Sequence, residues 1–262
     1  MASQPFYQRV LTRLQVNNYH NAIIDYSQVI LLNSHDWRSL YYQGHAYRQL
    51  GDYANALASY SEVVKLKPRL ASVYQDRGYV CGKLNDFQGA IADYTQGITY
   101  APRRFRNYYH RGNAHHVLKQ YSQAIADYTA CIELKPSYNP VYLNRGMSYC
   151  ALGQYSLAID DYDLALTSEP QSPAVYGNRG IAYQNLKQYP QAIADYTQAI
   201  FFDPNYADAY YNRAAVYHLL DNRQKSIRDL TYALDLFKKR GRKSCLLKAL
   251  KMKQKLLHQQ TD

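Results

Sequence analysis

Arginine and aspartate recur sixteen residues apart along this 262-residue chain: Arg9 and Asp25, Arg77 and Asp93, Arg111 and Asp127, Arg145 and Asp161, Arg179 and Asp195, Arg213 and Asp229. Where the arginine gives way to Gln43, the aspartate gives way to Ser59. Charges that vanish together are partners, so each pair is read as a structural bridge between two helices of one unit. A guanidinium meets a carboxylate through two parallel bonds that lysine cannot make. Three asparagines, Asn144, Asn178 and Asn212, follow one another at intervals of 34 residues. Each amide offers a donor and an acceptor, the complement of a peptide backbone, and a row of three would grip an extended chain with little regard to its sequence. His110, His115 and His116 lie close together, but offsets of five and six do not converge as the i,i+4 ligands of a metal would, so no metal site is expected. The chain has no Gly-rich phosphate loop, GxSxG elbow or HExxH helix; the reading is of a protein that is not an enzyme and has no cofactor.

The elements that carry these residues follow the same interval. Gly44, Gly78, Gly112, Gly146 and Gly180 are 34 residues apart, and the next step lands on Ala214. A fixed period of this length marks a repeat array. With the glycine counted as position 8, seven units fill 3–36, 37–70, 71–104, 105–138, 139–172, 173–206 and 207–240. Alanine or serine recurs at position 20, tyrosine at position 24 until Leu230, and proline five times at position 32. Small and large residues at 4, 8 and 11 and at 20, 24 and 27 keep helical spacing, giving a helix A and a helix B per unit. Pro140, Pro173 and Pro190 suit first helical turns, Ser172 and Asn139 are candidate N-caps, and the proline at 32 stops helix B. After Gly241, a helix stop, residues 242–259 read as one more amphipathic helix with Leu246, Ala249, Leu250 and Leu257 on its apolar side and Lys248, Lys251 and Lys255 opposite. Domain organisation is therefore an array over 1–240 and a basic capping helix and tail over 241–262.

The pattern resembles the tetratricopeptide-repeat (TPR) family, through the 34-residue length, the aromatic at 4, Gly at 8, Tyr at 11, Ala at 20, the aromatic at 24, the small residue at 27 and Pro at 32. The first unit departs from it, with Val10 for glycine and Ser34 for proline. The resemblance implies an all-α fold, a right-handed α-α superhelix of seven helix-turn-helix repeats plus a C-terminal capping helix, with helix A lining a concave groove. By that analogy positions 2, 5, 6, 9 and 12 face the groove. They place there the asparagine ladder, resembling those of some family members, and an earlier stretch made of Tyr41, His45, Tyr79, Arg106, Tyr109, His110 and Asn113. The carboxylate clamp of chaperone-tail binders is not matched, because Asn113 at position 9 accompanies Tyr109 where lysine is required. This argues against a chaperone C-terminal tail as partner.

The implied function is a non-enzymatic interaction scaffold, an assembly factor or adaptor, holding an extended peptide or a partner helix in the groove. Charge supplies the competitors. The net charge is +11, and the segment from Lys238 onward holds nine Lys/Arg against one acid. A basic C-terminal helix would suit nucleic acid or an anionic membrane surface. Four cysteines without a CxxC pair read as free thiols. No secretory signal or membrane-spanning run is visible in the sequence; the expectation is a cytoplasmic protein, free or held at a membrane by its basic end.

Overall fold

The computed structural model describes residues 18–258, which form fourteen helices and no strand. They fall into two compact units that divide between Ser137 and Tyr138. The first holds α1 (Tyr19–Leu32), α2 (Trp37–Gln49), α3 (Tyr53–Leu66), α4 (Ala71–Lys83), α5 (Phe87–Tyr100), α6 (Phe105–Val117) and α7 (Tyr121–Leu134). The second holds α8 (Pro140–Ala151), α9 (Tyr155–Ser168), α10 (Pro173–Asn185), α11 (Tyr189–Phe202), α12 (Ala207–Leu219), α13 (Arg223–Lys239) and α14 (Lys243–His258). Arg9 and Val10 lie outside the described residues.

Helix A passes to helix B through one repeated turn. Gly51, Asn85, Lys119, Gly153, Lys187 and Asp221, all at position 15, have positive φ, between 53 and 76°. The next residue's N–H reaches back to the position-11 carbonyl, as from Asp52 to Tyr47 and from Gln188 to Tyr183. This is the six-to-one bond of a Schellman turn, which satisfies carbonyls the helix end leaves open. Asp52, Asp86 and Asn222 then cap helix B, each side chain accepting from the N–H three residues on. Ser172 and Asn139 occupy the N-cap sites of α10 and α8 without capping them. The backbone of Asn139 is already helical, at φ −56° and ψ −39°, rather than in the extended conformation of a capping residue, and its amide nitrogen donates to the Ala165 carbonyl at 3.2 Å, tying the start of α8 to α9.

The core of each helix pair is a tyrosine laid on a glycine. Tyr60, Tyr128, Tyr162 and Tyr196 are buried, and a Cβ built on Gly112 or Gly180 would stand 2.7 Å from the facing ring. Where position 8 becomes Ala214, position 24 becomes the shorter Leu230, and both are fully buried. Close packing leaves no other exchange of volume.

α14 closes the second unit on a face different from the expected one. Ala249 and Leu256 are buried against Ala207, Ala214, Leu230 and Phe237, and Leu246 is half-buried, whereas Leu250 and Leu257 are exposed. Residues seven apart stay on one side of a helix, so once Ala249 and Leu256 take the seam, Leu250 and Leu257 turn outward by a helical step each. Lys248, Lys251 and Lys255 are exposed.

Candidate functional site

The recurrent arginines and aspartates meet within helix pairs. Arg77 donates from Nε and Nη2 to Asp93 at 2.8 and 2.6 Å, Arg111 to Asp127 at 2.9 and 2.6 Å, Arg145 to Asp161 at 2.9 and 2.7 Å, Arg179 to Asp195 at 2.8 and 2.7 Å, and Arg213 to Asp229 at 2.7 and 2.9 Å. All five of these aspartates are buried. Asp25 is buried too, and its expected partner Arg9 lies outside the described residues. Bonding to Asp195 raises the Arg179 pKa above the usual guanidinium value. Tyrosines at positions 4 and 11 flank the cation: Arg213 lies 5.8 Å from the Tyr210 ring and 6.0 Å from that of Tyr217.

The third guanidinium nitrogen carries a contact that sequence reasoning missed. It donates to position 25 of the preceding unit: Arg111 to Thr95 Oγ1 at 3.0 Å, Arg213 to Thr197 Oγ1 at 2.9 Å, and Arg179 to the Asp163 carboxylate. Gln43 makes a neutral copy, donating to Ser27 Oγ and accepting from Ser59 Oγ. Gln43, Arg77, Arg111, Arg179 and Arg213 thus join their own helix B to the repeat before, and the run of Ser and Thr at position 25 was the available signal.

The aromatic stretch of the first unit divides into two clusters. On α2 and α4, the Tyr41 hydroxyl donates to Asp76 Oδ2 at 2.6 Å, His45 Nε2 lies 3.5 Å from the same oxygen, and the Arg48 guanidinium is 3.2 Å from His45 Nδ1 and 3.9 Å from Asp76 Oδ1. Tyr79 lies between Arg48 at 5.5 Å and Lys83 at 5.4 Å. Burial pushes the Tyr41 phenol up and the His45 imidazole down. Arg48 Nε and the Tyr60 hydroxyl are buried and have no hydrogen-bond partner among the described residues. Arg48 was not singled out in the sequence; its signal is that it belongs to the one unit whose bridge is neutral.

The second cluster is on α6. His110 stacks on Tyr94 at 5.7 Å, and burial, with Arg106 nearby, lowers its pKa. Tyr109 packs edge-on against His110, and Arg106 is exposed over the Phe105 ring of its own helix. Asn113 Oδ1 accepts from the Tyr128 hydroxyl at 2.8 Å, so that oxygen serves the core. His115 meets Gln120, and His116 packs on Tyr121. Among the described residues no three His, Cys, Asp or Glu side chains gather as metal ligands.

In the second unit Asn144, Asn178 and Asn212 fall on α8, α10 and α12, successive helices that touch one another. All three are half-buried. The Asn178 amide donates to the Ala174 carbonyl of its own helix at 2.9 Å, leaving its oxygen for another donor. The Asn212 side chain has no hydrogen-bond partner among the described residues. At position 5, expected to open to the groove, Gly177 is instead covered by Tyr206, whose ring leaves no room for a Cβ.

Models described as TPR repeat and tetratricopeptide repeat match residues 44–85, 71–104, 106–138, 140–172 and 185–221, together well over half of the sequence. The chain belongs to the tetratricopeptide-repeat family. Among solved structures it is similar to the C-terminal part of a TPR repeat-containing protein from Cytophaga hutchinsonii, with 16% identity and a TM-score of 0.74 over 88% of this chain and 95% of that one. It is also similar to a tetratricopeptide repeat protein from Parabacteroides merdae, with 16% identity and a TM-score of 0.70 over 94% and 98% of the two chains. YrrB, described as a TPR protein with an unusual peptide-binding site, shares 20% identity and a TM-score of 0.61 over 73% of this chain and 97% of its own. Likeness at these identities is one of fold. No curated protein matches the sequence. No described helix is long and apolar enough to cross a membrane.

Proposed function

We propose that this TPR protein is a non-enzymatic interaction scaffold that binds a peptide segment of a partner protein on its helix-A surfaces. The observation that carries the reading is the α2–α4 cluster. Tyr41, His45, Arg48 and Asp76 take no part in the arginine bridges and are joined by hydrogen bonds and ion pairs beside the core ring of Tyr60, with Tyr79 facing Arg48. Arg48 there makes one hydrogen bond, to His45 Nδ1, and a long ion pair with Asp76, where a guanidinium can donate five bonds. A peptide carbonyl or acidic side chain would complete it, with Tyr79 as an aromatic wall. Asn212 and the oxygen of Asn178 offer the second unit's contacts to a backbone. Nucleic acid is the weaker reading, since the arginines that recur through the repeats are committed to aspartates.

Panning a random peptide library against the full chain tests this. Selected peptides should lose affinity on Arg48→Gln or on the triple change of Asn144, Asn178 and Asn212 to alanine, while far-ultraviolet circular dichroism stays unchanged. Selection of no peptide, or of peptides indifferent to both variants, overturns the proposal.

A further inference from the structure

The cap α14 repeats the helix-A pattern at a shifted start. In every described repeat, position 3 and position 10 of helix A are buried, as with Val175 and Ala182. Position 7 donates to position 25 of the preceding repeat, a hydroxyl at Thr95 and Thr197 and a carboxylate at Asp163. On α14, Ala249 and Leu256 are the buried pair, seven residues apart in the same way, and Lys253 Nζ donates to Thr231 Oγ1, a position-25 hydroxyl, at 2.8 Å. Counting from these, α14 is a helix A whose position 1 is Leu247. Its positions 4, 8 and 11 are Leu250, Gln254 and Leu257. In the repeats those positions pack on the unit's own helix B. Here Leu250 is 40% and Leu257 47% exposed, Gln254 is exposed, and among the described residues no helix packs on them.

We infer that this open face of α14 receives an acidic helix of a partner protein, seated where helix B lies in each repeat. Two features define that helix. Helix B supplies an aspartate at position 23 to the position-7 cation, and Lys253 holds the cation's place bonded only to a hydroxyl. Lys251 flanks the open face on the side away from Lys253 and has no ion pair among the described residues, Lys248 and Lys255 lie towards the opposite side of the helix, and α14 contains no acid. Complementary charge therefore selects an acidic partner, and a second copy of this chain would set lysine against lysine. The volume rule also carries over. Glycine faces tyrosine and Ala214 faces Leu230, so Gln254 requires a small residue opposite. A bilayer fits less well than a helix, because Gln254 sits between the two leucines, in the line that would enter the apolar layer.

The test uses the full chain and a fluorescein-labelled, lactam-stapled 18-residue peptide. The peptide carries alanine at the three helix-B contact positions, aspartate just before the middle one and glutamate on its outer face. Fluorescence anisotropy should show saturable binding that weakens with salt. Leu250→Asp and Leu257→Asp should each weaken it by roughly tenfold or more, and Lys253→Gln by about three- to fivefold. Leu250→Ala serves as a milder change if circular dichroism shows an aspartate variant to be perturbed. Equal binding of a peptide with lysine in place of its aspartate, or affinity unchanged in the leucine variants, overturns the inference. So does self-association in sedimentation velocity that the leucine variants abolish, which makes a second copy the occupant. Flotation with phosphatidylserine-containing vesicles, lost in the same variants without peptide binding, would overturn it in favour of a membrane surface.

Discussion

A single contact, tyrosine ring on glycine, sets how closely each pair of helices approaches. A methyl group on Gly180 would stand 2.7 Å from Tyr196 Cε1, well inside van der Waals contact. Gly180→Ala should therefore cost about 1–3 kcal/mol through overpacking, read as a lower urea midpoint. Adding Tyr196→Leu recreates the Ala214–Leu230 pairing and should recover part of that loss. A double change no better than the sum of the two singles would refute the coupling. Thiols report the same packing: Cys81 and Cys131 are buried, and burial pushes both up to about 11. At pH 8 a disulfide reagent should label half-buried Cys245 first and leave Cys81 and Cys131 unlabelled until the chain is unfolded. The residue types of this core were legible in the sequence because a period of 34 lines them up. The hydrogen bonds of Asn178 and Asn113 were not, because one amide can serve a helix carbonyl, a core phenol or an incoming peptide with equal chemistry.

At the scale of elements, the A-to-B turn is the most regular feature that periodicity alone did not disclose. Position 15 adopts positive φ whether it is Gly51, Asn85, Lys187 or Asp221, so the residue type there varies while the backbone does not. The Schellman bond from position 16 to position 11 imposes the conformation, and a lysine in it carries a Cβ strain that glycine avoids. Lys187→Gly should therefore raise stability by about 0.5–1 kcal/mol, the relief of strain being partly offset by the freer unfolded chain. Gly153→Ala in the equivalent turn should lower it by a similar amount. Thermal unfolding of the two variants measures both signs at once, and a shift in the same direction for each would contradict this account. The register of the cap was hidden for a related reason. α13 runs for 17 residues where α11 and α9 run for 14, which accounts for three residues of the shift by which the next helix-A pattern starts at Leu247 rather than at residue 241. A count in steps of 34 cannot see that displacement, and apolar spacing at three- and four-residue steps puts Leu250 and Leu257 on one side with Ala249.

For the molecule as a whole, the decisive property is that contacts run between neighbours in the chain. Within the second unit α14 packs on α13, α13 on α12, and so back towards α8. Stability in such an array is close to a sum of units and interfaces, and damage at an end should fade with distance from it. Leu256 is the place to apply that damage, because it is 2% exposed and meets the cluster of Phe237, Leu230 and Ala214 without touching the open face of α14. Leu256→Ala should cost about 2–4 kcal/mol as a cavity in a packed seam. In amide hydrogen exchange the loss of protection should be greatest in α14 and α13, smaller in α12, and slight in α8 and α9. Uniform loss across all seven helices would instead mean that the second unit unfolds as one cooperative block. In that case the arginine contacts between successive repeats, such as Arg213 to Thr197, would couple the helices more strongly than nearest-neighbour packing does. Repeating the exchange with Arg213→Lys, which keeps the charge and removes the fork, separates these cases. The variant sharpens the gradient if the ladder carries the coupling and leaves it unchanged if apolar packing does.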